Sequence, residues 1–240
     1  MNYSMKTSPI LRALLALATT AAVSHAATAV PFHDSFDGGL INWTTTGDVA
    51  VQSGSAVLTT AYTTEQDDFP LAAGALNLSG NPTVMAGGDL ELFSGLAAGA
   101  LDLDSLSQAT EGSAMKATFT AGAGTMLSFD WQITTRDAAA GADYAFITIN
   151  GALINLASAS SATAAATGDY FTQTGVAHFE YVFQNGGDYT VTFGVVDVGD
   201  YSGTTALHLD NVNLAVPEAG SSLLAIAGLS LATLRRKRQD

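Results

Sequence analysis

Apolar side chains in the middle of this chain recur at every second position, and that period restricts the fold more than any other feature. Leu127, Phe129, Trp131 and Ile133 alternate with Ser128, Asp130 and Gln132, which predicts one core-facing and one outward face. Phe179, Tyr181 and Phe183 repeat the pattern, as do Tyr189, Val191, Phe193 and Val195. Asn185-Gly186 between those two runs predicts a type I′ turn and a hairpin. Val49-Ala50-Val51, Ser53-Gly54 and Ala56-Val57-Leu58 predict an early tight hairpin, and Tyr144 to Ile149 is a further β-rich run. The expected fold class is mainly β, an antiparallel β-sandwich.

The closing run changes phase. Leu207 and Leu209 fall on one face, Val212 and Leu214 on the other. A bulge at Asp210-Asn211 would restore the register, and partial burial of both faces is the alternative. Thr63 to Glu111 resists a strand assignment, being rich in Gly and Ala, with one short helix expected near Asp89 to Leu96. Ser158 to Thr167 is Ala/Ser/Thr low complexity and reads as a mobile loop.

The two ends divide the chain into three parts. Residues 1–26 read as a secretory signal helix: Lys6 and Arg12 precede an apolar run from Leu14 to Val23. Ser24-His25-Ala26 then offers small residues for signal peptidase, with cleavage after Ala26. Residues 27–215 form the expected ectodomain and residues 216–240 a tail. In the tail, Val216-Pro217-Glu218 precedes 16 apolar or small residues, Ala219 to Leu234, followed by Arg235, Arg236, Lys237 and Arg238. As a helix that stretch spans roughly 24 Å, enough for a transmembrane segment with snorkelling arginines and local thinning. The basic cluster favours a cytoplasmic end, with the body outside.

Pro217-Glu218, the apolar helix and the terminal arginines together resemble the PEP-CTERM sorting tail of Gram-negative bacteria, with Pro-Glu-Ala where that family most often has Pro-Glu-Pro. The resemblance implies export through the Sec pathway and transient membrane anchoring by the C-terminal helix. It further implies recognition of Val216-Pro217-Glu218 by an exosortase and residence at the cell surface or in an extracellular matrix rich in exopolysaccharide. Two shorter patterns resemble jelly-roll carbohydrate-binding modules: Phe36-Asp37-Gly38-Gly39-Leu40 with Trp43, and Leu209-Asp210-Asn211-Val212. That second likeness implies a jelly-roll-like sandwich. It also implies a structural calcium ion tying the first and last strands, held by Asp37 and Asp210 with Asp34 as helper. A block from Ala109 through Phe146 is similar to one recurring in PEP-CTERM surface proteins.

Charge narrows the partners. Between Ala27 and Val216 lie 20 acids and only two bases, Lys116 and Arg136, a balance of −18. Such a body repels nucleic acid and anionic lipid and suits cations or uncharged partners. Absence of cysteine excludes disulfides and thiolate chemistry. No Gly-x-Ser-x-Gly, His-Glu-x-x-His, phosphate loop or dinucleotide fingerprint occurs, so an enzyme is not expected. His178 and His208 sit in strand patterns, where structural roles are expected. Asp102, Asp104, Asp197 and Asp200 read as loop acids. Trp43 and Trp131 read as core residues, and Tyr170 and Tyr201, near loops, are the better candidates for stacking on a sugar ring. The leading expectation is an exported structural or adhesive surface protein. A carbohydrate-binding module and a glycan-active enzyme stand behind it.

Overall fold

The segments of period two form strands, and their inward residues meet in one core. The computed structural model describes residues 29–103, 107–137 and 143–216. The expected signal segment with cleavage after Ala26, and the tail from Pro217 and Glu218 to Arg235, Arg236, Lys237 and Arg238, lie outside the described residues. Val216 lies within them, just past the last strand. Among the described residues no helix is long and apolar enough to cross a membrane.

In chain order the elements begin with β1 (Phe32–Asp34), β2 (Thr44–Thr46), β3 (Asp48–Gln52), β4 (Ser55–Thr59) and β5 (Val84–Met85). Helix α1 (Asp89–Ser94) follows, then β6 (Ala109–Ala121), β7 (Met126–Thr135), β8 (Tyr144–Ile149) and β9 (Ala152–Ser158). The remainder is β10 (Ala164–Ala165), β11 (Thr172–Gln173), β12 (Ala177–Val182), β13 (Gly187–Val198) and β14 (Thr205–Ala215). They make two antiparallel sheets packed as a sandwich. The first has eight strands, ordered β10-β11-β7-β14-β4-β3, with β1 beside β14 and β12 beside β7. The second has six, ordered β2-β6-β13-β8-β9, with β5 beside β6.

Between the sheets, Leu58, Leu127, Phe129, Ile133, Ile147, Val191, Phe193, Val195, Leu207 and Leu209 are buried in one cluster. Each such side chain contributes roughly 1.5–3 kcal/mol by leaving water. Trp43 packs among the rings of Phe32, Phe36, Phe119 and Phe193, as its core assignment requires. Trp131 is only partly buried, packed against the edge of the same cluster.

Three local expectations hold. The β3–β4 hairpin turns at Ser53 and Gly54 with φ of 53° and 83°, the left-handed pair of a type I′ turn. Helix α1 falls inside the expected Asp89–Leu96 window. In β14 the register shifts between Asp210 and Asn213, and Asn211 takes φ 53°. The bulge restores the phase, so Leu207, Leu209, Val212 and Leu214 all reach the core.

Three others fail. Asn185-Gly186 does not close a hairpin: β12 pairs with β7 in the first sheet, whereas β13 pairs with β6 and β8 in the second. The turn carries the chain from one layer to the other. Ser158 to Thr167 is partly ordered, with a short 3₁₀ turn at Ala159–Ser161 and β10 paired to β11. Asp197 is not a loop acid but a buried residue of β13.

Candidate functional site

The residues nominated for calcium have different surroundings. Asp34 is buried at the end of β1, opposite Val212 of β14, so the first and last strands are neighbours. Its Oδ1 accepts the Phe36 amide (2.8 Å), and its Oδ2 accepts Trp43 Nε1 (2.9 Å) and Asn42 Nδ2 (3.2 Å). Asp37 accepts Ser35 Oγ (3.0 Å) and is exposed. Asp210 lies opposite Asp130 on the outer face of the first sheet and accepts the Asn211 amide (2.7 Å). No group of three or more His, Asp or Glu side chains placed to hold one metal ion occurs among the described residues.

The bulge re-aims Asn211 rather than Asp210. Asn211 Nδ2 donates to Asp130 Oδ2 (2.9 Å), and His178 Nδ1 lies 2.7 Å from Asp130 Oδ1. These hydrogen bonds, led by the one with His178, hold the Asp130 carboxyl below its usual range. The same contact raises the His178 imidazole.

A groove crosses the outer face of the first sheet. Alternation sends Gln132 and Thr134 of β7, His208 of β14 and Val57 of β4 outward, and register sets them side by side: Gln132 opposite His208, and His208 opposite Val57. Thr134 Oγ1 lies 3.0 Å from His208 Nε2, and Gln132 Nε2 donates to Gln173 Oε1 (2.8 Å). Burial lowers the His208 imidazole, keeping it neutral around pH 7.

Loops make the walls. On one side residues 75–78 are held by carboxylates: Asp48 accepts the amides of Leu78 and Ser79, and Asp68 accepts that of Leu76 (2.9 Å). Asp48 and Asp68 also accept Thr59 Oγ1 and Thr204 Oγ1, each at 2.5 Å. On the other side residues 167–170 are held by Arg136, buried to 5% exposure, which donates to the carbonyl of Asp169 and to that of Phe69 (3.3 Å). Its guanidinium also lies over the Phe171 ring at 4.4 Å. The cavity between the walls is about 380 Å³, and half-buried Tyr170 and exposed Gln52 are among its lining residues. A second cavity, about 260 Å³, continues it past the shared Gln132 and His208 to Trp131, Asp130, Asp210 and Asn211.

A separate cavity of about 370 Å³ at one end of the sandwich is lined by Tyr62, Glu65, Met85, Glu111 and Tyr201. Behind it lie buried acids. Burial pushes the Asp197 carboxyl far above the usual range, and Asp143 beside it adds to the rise. Asp143 is itself raised by burial, although Thr205 Oγ1 (2.6 Å) and the Val198 amide (3.1 Å) donate to it. Asp67 is pushed up to about 6, again chiefly by burial.

Of the residues singled out by sequence, Tyr170, Trp131, His208, Asp210 and the outward-facing Asp130 and Gln132 line the groove, whereas Tyr201 lines the cavity at the end. Gln52 and Gln173 were missed, and Gln132 was not marked as a binding residue, because nothing local distinguishes an outward glutamine over a groove from any other. The strand period did place Gln132 outward, which was the one usable signal.

No protein-family model matches the chain, and no curated protein is significantly similar to it. Among solved structures, the K3 cleaved adhesin domain of Lys-gingipain from Porphyromonas gingivalis aligns with 77% of this chain and 98% of its own, at 13% identity. Its TM-score of 0.36 is too low for that likeness to support any statement about fold or function.

Proposed function

We propose that this chain is an exported, exosortase-processed surface or extracellular-matrix protein with a structural, adhesive and non-enzymatic role beside exopolysaccharide. The observation that carries the proposal is the tail: Pro217-Glu218, 16 apolar or small residues and a terminal basic cluster. The signal pattern of residues 1–26 gives the body the same orientation. Strand β14 ends at Ala215, one residue before the Val216-Pro217-Glu218 motif, so the sandwich would be presented directly above the tail. A jelly-roll-like topology is supported by the handover of the chain between layers from β6 to β7 to β8, and from β12 to β13 to β14.

Deleting Val216 to Asp240 is expected to release the protein as a soluble species into the medium. Fractionation and immunoblotting check this, and unchanged retention by the cells would defeat it. A carbohydrate-binding role is the second reading, favoured by the walled polar groove on the first sheet. A glycan-active enzyme is the third and has no supporting geometry among the described residues.

A further inference from the structure

We infer that the groove on the outer face of the first sheet binds an uncharged oligosaccharide, lying across Gln132, Thr134 and His208 between the 75–78 and 167–170 loops. The role of the groove in adhesion rests on the surface-protein reading above; the binding chemistry rests on the groove itself.

Charge comes first. No Lys or Arg lines either cavity, whereas Asp130, Asp169 and Asp210 do. Both bases of the body are already engaged elsewhere. Arg136 donates to the loop carbonyls, and Lys116 donates to the Phe93 carbonyl (2.9 Å) with its ammonium 4.1 Å from the Phe93 ring. His208 is neutral. An anionic polymer would therefore meet carboxylates with nothing to offset them. An uncharged ligand meets no such barrier.

Hydrogen-bonding type comes second. The floor is a sheet face whose backbone groups already pair in the ladders between β7, β14 and β4, so a peptide could not add a strand there. What is left is side chains that both donate and accept: glutamine amides, a threonine hydroxyl and a neutral imidazole. Gln132 gives its Nε2 to Gln173 and keeps its carbonyl oxygen; Gln173 keeps its Nε2. Sugar hydroxyls likewise donate and accept, and the rim carboxylates add acceptors. Tyr170 supplies a ring against which a sugar face can lie.

Shape comes third. The two cavities meet at Gln132 and His208, giving an elongated site with volumes of about 380 and 260 Å³. Ligand pockets commonly hold about 300–1,000 Å³, so the joined groove has room for more than one sugar unit. Both walls are pinned by buried hydrogen-bonding groups (Asp48 and Asp68 on one side, Arg136 on the other), so the site is formed before the ligand arrives.

The test titrates the full-length chain in detergent micelles with cellohexaose, mannohexaose, xylohexaose and hexagalacturonate, followed by calorimetry. At least one neutral hexamer is expected to give a saturable heat, and hexagalacturonate none. Tyr170→Ala and Gln132→Ala should each weaken that binding at least tenfold, Gln132→Ala at unchanged Tm. Tyr201→Ala, in the separate cavity, should leave it unchanged. Saturation by none of the neutral hexamers overturns the inference, as does equal binding of hexagalacturonate or indifference to both groove substitutions. Cell attachment to the organism's own polysaccharide separates the two levels. Attachment that survives the double substitution sinks the groove and leaves the adhesive reading standing. Wild-type cells that never attach sink the adhesive reading, whatever the hexamers do.

Discussion

The two sheets of this sandwich treat their outer faces in opposite ways. Outside the second sheet, Tyr144 and Phe146 of β8 and Val196 and Val198 of β13 are buried under Leu90 of α1 and Leu101. Tyr144 donates its hydroxyl to the Leu101 carbonyl (2.6 Å), and Thr148 donates to Ser94 (2.9 Å). Every residue of β8 is buried, and apart from Thr148 its sequence is apolar rather than alternating. Gly194 completes the fit, since a Cβ there would stand 2.3 Å from Phe146. Outside the first sheet the corresponding positions are Asp130, Gln132, His178 and His208, and the loops border the face without covering it. One face was closed to make a second core; the other was left polar and walled. Among the described residues, the polar face is the one left open between its walls.

The largest test of that contrast is Phe146→Ala, which should cost about 3–5 kcal/mol through a cavity in the covered face. Gln132→Ala on the open face should stay within about 0.5 kcal/mol. Urea unfolding of both variants decides it, and comparable costs would erase the distinction.

Arg136→Ala should cost about 1–3 kcal/mol, because the carbonyls of Asp169 in the 167–170 wall and of Phe69 lose their donor. Limited proteolysis should then cut faster within residues 166–171, and an unchanged cleavage pattern would show that the wall stands without it.

A smaller effect concerns pH. Burial raises the Asp197 and Asp143 carboxyls in the folded chain, so the native state keeps protons that the unfolded chain gives up above about pH 4. Their contribution therefore favours the fold on the acid side and declines as the pH climbs through neutrality. Asp197→Asn should flatten the decline in Tm, and an equal slope in the variant would refute it. The open face gives a weaker slope, because Asp130 and its partner His178 are both screened by solvent.

Asn211→Ala should cost about 1–2 kcal/mol, set by its left-handed backbone at φ 53°. Asn211→Gly should recover most of that, although both lose the bond to Asp130. Equal unfolding midpoints for the two variants would place the cost in the side chain instead.

Local chemistry was legible in the sequence wherever a local rule decides the structure. Ser53-Gly54 turned as a type I′ pair because Gly54 takes a left-handed φ at no steric cost and the flanking strands fix the register. The phase break at Asp210-Asn211 became a bulge because both halves of β14 needed the same core. Helix α1 appeared where expected, closed by Gly95 in the left-handed conformation. Asn185-Gly186 misled because the same turn signal serves a hairpin and a crossing between layers. What differs is which partners β12 and β13 find, and those in β7 and β6 lie 46 to 89 residues earlier in the chain. The acids misled as well. Asp34, Asp48, Asp67, Asp68, Glu91, Glu111, Asp143 and Asp197 are buried, and most of them accept hydrogen bonds from loop amides, hydroxyls or the indole of Trp43. Sequence could count these carboxylates but could not show which loops needed an acceptor.

Strand β14 lies between neighbours to its very end: Leu214 is paired with Phe32 of β1 on one side and with Leu127 of β7 on the other. If the tail is the tether proposed above, any drag on the body is transmitted into that end. Pulling there loads both flanking ladders together along the strand axis, instead of peeling an edge one bond at a time. A module hung from its interior strand would stay folded under flow that would unzip one hung from an outer strand.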